Sequence, residues 1–239
     1  LPKTIAKKFK TSGTLPPLRA GTPASADNDS SAGSGFVRGL AVDSDLADAV
    51  EGLKEIFQKR KLDFSFGKAD KTRIEELRKQ FRIPSRYRAF LAAADPISVE
   101  TVTPVERVRL IPSSELAAAQ AAITSPPEGG TVPLDWKPAW VVIGESSLLG
   151  DPYFLDTSKP DPEGDCPVYT AISGQTRWVP TLAASSFAQF LRILATAMEI
   201  AAGFGDGIMD DEDEDSFRES LGPKVKVIDA PALRAGHWT

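Results

Sequence analysis

Apolar residues first recur at three- and four-residue spacing at Leu46, Ala49, Val50, Leu53, Ile56 and Phe57. That spacing puts them on one face of a helix that starts at Asp43–Ser44, either of which can cap it. Glu51, Lys54, Glu55 and Lys59 fall on the outer face. Phe64–Phe66 alternates, as a short strand or an apolar clip would. A second helix is predicted from Asp70 to Phe81, with Ile74, Leu77 and Phe81 inward. Pro84 interrupts it, because the residue before a proline is pushed out of helical geometry. The same proline suits the first turn of a third helix that buries Tyr87, Phe90 and Leu91 and ends at Asp95–Pro96. The period then changes to two. Val99–Val105, Val108–Ile111, Trp140–Ile143, Tyr153–Leu155 and Val168–Ile172 predict strands, with Arg177–Val179 as a further short one. An alanine-rich helix, Leu116 to Ile123, interrupts them, followed by a Pro/Gly loop at Ser125–Lys137. Ser185–Ser186 caps a last long helix carrying Phe187, Phe190, Leu191, Leu194 and Met198, which ends near Gly203. Strands segregated between helices, with no alternating βαβ units, predict an α+β fold with an antiparallel-rich sheet flanked by helices.

Composition narrows the function. With 239 residues the chain has room for one good-sized domain or two small ones. No apolar run reaches the ~20 residues that span a bilayer. The longest helical stretch, Phe187–Ala202, is broken by Gln189, Arg192 and Glu199. Leu1–Ala20 contains lysines but no apolar core of the kind a secretory leader has, so a cytoplasmic location is expected. One cysteine, Cys166, excludes an internal disulfide and fits a reducing compartment. One histidine, His237, leaves no multi-histidine metal site, and its place near the chain end suggests a solvent-exposed tail. These counts favour a binding protein over an enzyme, with no cofactor and no metal.

Charge is distributed unevenly. Lys3, Lys7, Lys8, Lys10 and Arg19 make the first twenty residues basic, and Thr11–Gly35 is rich in Ser, Gly and Pro. Residues 1–35 therefore read as a basic arm or linker. Residues 36–202 read as the folded domain and 203–239 as an acidic C-terminal tail. Between 206 and 219 there are eight acids, Asp210, Asp211, Glu212 and Asp213 among them, against the single base Arg218. Such a run repels itself and repels nucleic acid, and it can dock a basic partner.

Candidate chemistry is sparse. Asp156, Asp161, Glu163 and Asp165 lie on one connection, but the order Asp161–Pro–Glu–Gly–Asp lacks the alternating register of a calcium loop. The Gly203–Phe–Gly–Asp–Gly segment follows a helix, where a dinucleotide fingerprint would follow a strand. Cys166 has no histidine beside it in sequence to activate it. Asp151 with Asp156 is the carboxylate pair that an enzyme reading would require. Tryptophan is enriched at binding hot spots. Trp136, on a loop, is thus the first aromatic expected to face a partner; Asp151, Asp156, Asp161, Glu163, Asp165 and the 210–213 acids are the acidic residues expected to bind one.

Three segments carry a family resemblance. RIEELRKQFRIPSRYRAFLAAAD (73–95) has a helix, the Ile83–Pro84 pair, Tyr87 and Phe90–Leu91. WVVIGESSLLGDPYFLDTS (140–158) has a strand closing on Ile143–Gly144, a Gly150–Asp151 turn and an aromatic strand closing on Asp156. VYTAISG (168–174) precedes the helix SFAQFLRIL (186–194). In this order and spacing the chain resembles the SUKH superfamily, whose members include bacterial toxin-immunity proteins and fungal cell-wall synthesis regulators. It departs from the family where Ile83–Pro84 replaces a common Leu-Pro and where, after the Phe-Leu helix, Ala93–Ala94–Asp95–Pro96 replaces a common Asn-Gly. The resemblance implies a SUKH-like fold and a non-enzymatic protein that binds and neutralises a cognate toxin or effector domain, such as a nuclease. A regulatory scaffold of the cell-wall type is the alternative. In the segments that carry the resemblance, Tyr87, Phe90, Phe187 and Phe190 read as core, and Gly144, Gly150 and Gly174 as turns that need positive φ.

Overall fold

The computed structural model describes residues 43–125, 135–204 and 211–239, and for 211 and 212 only the backbone. The basic arm, most of the Pro/Gly loop, Gly205–Gly207 and Asp210 lie outside the described residues.

Helix α1, Ser44–Arg60, starts where the Asp43 side chain accepts from the Leu46 amide at 2.9 Å, and buries Leu46, Ala49, Val50, Leu53 and Phe57. Helix α2, Lys71–Phe81, is capped in the same way by Asp70, which accepts from the Arg73 amide at 2.8 Å. Helix α3, Ser85–Ala94, begins directly after Pro84, which has no side chain able to cap it. A carbonyl from a distant loop does so instead, since Gly164 O accepts from the Arg86 amide at 3.1 Å. Strand β1, Ser65–Gly67, pairs antiparallel with β2, Asp95–Ser98.

Six further strands form one antiparallel sheet in sequence order: β3, Glu100–Val102; β4, Arg107–Leu110; β5, Trp140–Ser146; β6, Pro152–Asp156; β7, Val168–Thr170; and β8, Thr181–Ala184. Helix α4, Leu116–Thr124, sits in the β4–β5 connection, and α5, Phe187–Ala201, follows β8 with Ser186 as its cap. The mixed α+β architecture and the antiparallel sheet agree with the sequence pattern.

The sheet is covered on both faces, which is why β6 is buried along its whole length. Tyr153 and Leu155 join the main core with Tyr87, Phe90, Phe187 and Phe190. Phe154 points the other way, into a second cluster with Trp140, Ala171 and Trp178. Two details differ from the sequence reading. Gly144 is not a turn but an interior residue of β5 at a register shift; a Cβ there would meet Arg109 O at 3.1 Å. Arg177–Val179 is not a strand; the last strand is Thr181–Ala184, whose weak β propensity is overridden by pairing with β7.

The largest difference is the acidic tail. It forms α6, Asp211–Ile228, and α7, Ala230–Ala235, which pack against α5 and β8. Phe217, Leu221, Val225, Ala232 and Trp238 are buried. Burying a large apolar side chain contributes about 1.5–3 kcal/mol. Like-charge repulsion between exposed helix neighbours costs only a few tenths per pair, so packing wins. All described residues belong to one compact unit.

Candidate functional site

The residues expected to face a partner divide into three groups. Trp136 is not a free loop aromatic. Its ring packs edge-on against Trp140 and Trp178 with centroids 5.4 and 5.3 Å away, and its Nε1 donates to Trp140 O at 3.1 Å. It closes the second core cluster, with only part of its surface reaching solvent.

Three of the carboxylates work inside the protein. Asp165 is fully buried and pairs with Arg86 at 3.3 Å. It also accepts from the amides of Cys166, Phe187 and Ala188, and so caps the α5 N-terminus. Burial nonetheless pushes its carboxyl above the ordinary range. Arg86 ties this point to α1 through Asp43 at 2.7 Å and Asp45 at 2.9 Å. Asp161 holds the same loop by accepting from the Asp165 amide at 2.7 Å. Asp156 is buried at the end of β6. Burial raises its pKa, but hydrogen bonds from Ser158 and Lys159 outweigh this and hold it below the ordinary value. Asp156 and Asp165 are buried and Asp161 is half-buried, and each completes the hydrogen bonding of a turn or helix end.

Asp151 and Glu163 remain on the surface side. Asp151 lies just before β6 and Asp156 at its end, so they stand about 17 Å apart along the strand. Paired catalytic carboxylates sit within about 10 Å of each other, so these two do not form one. Asp211, Glu212 and Asp213 lie in the first turn of α6.

Sequence reasoning missed the place where the C-terminus meets the sheet. His237 is not on an exposed tail. Its Nε2 lies 2.8 Å from the Tyr153 hydroxyl, which lies 2.7 Å from Glu106 Oε2. Burial, aided by the Arg218 charge, lowers the His237 pKa to about 4. Burial raises Glu106, and burial together with Glu106 raises Tyr153 well above its usual range. With Glu106 ionised, the Tyr153 hydroxyl donates to it and accepts from His237 Nε2–H, which fixes the tautomer. Trp238 is buried alongside, and its Nε1 donates to Ala183 O at 2.8 Å.

Two hollows open here. A groove of about 460 Å³ is bounded by Asp151, Ile172, Val179, Arg218 and His237. A more enclosed cavity of about 190 Å³ shares Asp151, Arg218 and His237 with it and extends to Glu106, Leu149 and Phe217. Two glycines with positive φ, Gly150 at 71° and Gly174 at 77°, shape the turns at its mouth. Ser173 staples those turns together: its amide donates to Asp151 Oδ1 and its hydroxyl to Gly150 O, both at 2.6 Å.

Elsewhere, burial and then the carboxylates of Asp165, Asp161 and Asp156 push the Cys166 thiol up to about 12. It packs as a small apolar group. Among the described residues no cluster of His, Cys, Asp and Glu has metal-binding geometry, and no helix is long and apolar enough to cross a membrane. The arrangement can bind through a preorganised groove; its titratable groups serve the fold.

No curated protein matches the chain. The sequence model of the SMI1 / KNR4 family (SUKH-1) matches residues 68–193, from just before α2 into α5 and just over half the chain. That span takes in the complete six-stranded sheet and the Ile83–Pro84, Gly150–Asp151 and Phe187 segments that carry the resemblance. The chain therefore belongs to the SMI1 / KNR4 family (SUKH-1).

Proposed function

We propose that this protein is an immunity protein that neutralises a cognate toxin domain by direct, stoichiometric contact in the cytoplasm, without catalysis. The observation that carries the reading is the groove at the end of the sheet. Ile172 and Val179 line it and Leu149 lines the adjoining cavity, with 60 %, 63 % and 69 % of their surface exposed. Large apolar side chains grouped on rigid turns mark an interaction site. Family membership supports the same direction. The chemistry available supports binding over turnover: the thiol of Cys166 stays protonated at neutral pH, and His237 is neutral and held by Tyr153.

Residues 1–42 carry six basic and two acidic side chains, so residues 43–239 carry a net charge of −9. An acidic unit of this kind speeds association with a basic partner, such as a toxin domain that itself binds nucleic acid. The test is survival of cells that express a toxin domain encoded beside this protein's gene, with and without the protein. Protection is expected. Absence of protection against every such domain overturns the reading in favour of a regulatory scaffold of the cell-wall type.

A further inference from the structure

We propose that the groove between the β5–β6 turn, the β7–β8 connection and the C-terminal segment is the docking surface itself. Its occupant is a partner protein segment that presents a lysine or arginine between apolar side chains. This rests on the reading of the chain as a binding protein and adds where the partner sits and what chemistry it brings.

Three observations converge on the groove. The first is the apolar rim. Ile172 and Val179 line the groove and Leu149 lines the adjoining cavity, and all three are more than half exposed. The hydrogen bonds from Ser173 to Asp151 and Gly150 place the Leu149 and Ile172 turns side by side. Of the other exposed large apolar residues among those described, Leu148 adjoins Leu149 on the same turn, while Ile97 and Val227 lie on β2 and α6, outside the lining of either hollow.

The second observation is charge. Asp151 lines both hollows, and only its Oδ1 is engaged, by Ser173. Its Oδ2 has no hydrogen-bond partner among the described residues. Arg218 also lines both hollows, but its charge is matched by Glu214 at 2.8 Å and its NH1 is turned to the carbonyls of His237 and Thr239. His237 is neutral, and Glu106 is bonded to Tyr153. The unmet electrostatic demand in the groove is therefore negative, in keeping with the net −9 of residues 43–239. A basic side chain satisfies it and an acidic one is repelled.

The third is rigidity. Two glycine turns locked by Ser173, beside a His237 ring held by the buried Tyr153, leave little ordering to be done on binding.

The experiment titrates the isotopically labelled protein with two capped peptides, acetyl-Leu-Arg-Leu-amide and acetyl-Leu-Glu-Leu-amide, and follows backbone amide shifts. The expected result is that the arginine peptide at millimolar concentration shifts the amides of Gly150, Ile172, Ser173 and Gly174, and the glutamate peptide does not. Asp151→Asn keeps an acceptor for the Ser173 amide and removes the charge, so it should weaken the arginine peptide roughly tenfold. Ile172→Lys removes the apolar contact and repels the arginine, so it should abolish binding, and Val227→Lys should leave it unchanged. Shifts outside the groove, equal response to both peptides, or no response to either overturns the proposal. The two readings fail separately. Peptide docking without protection of any toxin-expressing cell keeps the surface and removes the immunity function. Protection undiminished in Ile172→Lys and Asp151→Asn keeps the function and removes the surface.

Discussion

Replacing Trp238 by alanine removes a side chain that is 6 % exposed and anchors the C-terminal segment to the sheet. The ring packs beside His237 at 4.4 Å between centroids, and Nε1 donates to Ala183 O on β8. Two losses add. Truncating a buried tryptophan costs about 3–5 kcal/mol through transfer and cavity effects. Leaving a buried carbonyl without its donor costs about 1–3 kcal/mol more, unless water reaches it. A destabilisation of about 4 kcal/mol or more is a large share of the ~5–15 kcal/mol that holds a domain folded. For a unit of this size it lowers the melting temperature by about 8–16 °C. Trp238→Phe separates the two contributions: it keeps most of the apolar area and loses the hydrogen bond, and should cost about 1–2 kcal/mol. Urea unfolding of wild type and both variants, monitored by circular dichroism with the slope held as a check, reads all three. A change below about 0.5 kcal/mol for Trp238→Ala, the size expected of a surface substitution, would refute the packing of the C-terminal segment against β8.

His237 has a folded pKa of about 4, below its ordinary 6.5, so the unfolded chain takes up the proton first. Stability contributed by neutral His237 is present above pH 6.5 and lost as pH falls toward 4, by about 3 kcal/mol in all. Glu106, raised by burial, acts in the opposite sense; comparing wild type with His237→Gln across this window isolates the histidine, and parallel curves would contradict its burial. Arg86→Met leaves the buried Asp165 carboxylate without its counter-ion, and should cost about 3–5 kcal/mol in urea unfolding. Adding Asp165→Leu to Arg86→Met should recover part of that cost. Cys166 should resist iodoacetamide at pH 8 in the native protein and react in urea, read by mass spectrometry; rapid native labelling would contradict the high thiol pKa.

Much of the fold is legible from the sequence because local and tertiary preferences agree there. Helices α1, α2 and α5 combine apolar periodicity with the side-chain caps Asp43, Asp70 and Ser186, so both their starts and their buried faces can be read. Strands β5 and β6 are short apolar runs bounded by turn residues. The C-terminal helices are hidden for physical reasons. A run of six acids and the Gly222–Pro223 pair both argue against a helix, and Pro223 indeed lies inside α6. The opposing signal was the stripe Phe217, Leu221 and Val225 at four-residue steps, all of it buried. Strand β8 carries little β propensity of its own and exists because β7 and α7 flank it. The candidate site is the least legible part. Its walls come from residues 149–151, 170–181, 218 and 235–239, and only the chain's return to the sheet end brings them together. Asp151 belongs to it, while Trp136, Asp156, Asp161 and Asp165 satisfy internal hydrogen bonds and packing. A carboxylate's place in sequence does not reveal which of these two duties it performs.

Titrating a toxin domain's activity with the purified protein distinguishes neutralisation by stoichiometric contact from catalytic inactivation. Activity is expected to fall in proportion to added protein and reach zero at an equimolar amount, with the toxin recovered chemically intact from the complex. Complete inactivation by a small fraction of an equivalent, or a toxin unaffected by excess protein, would contradict stoichiometric neutralisation.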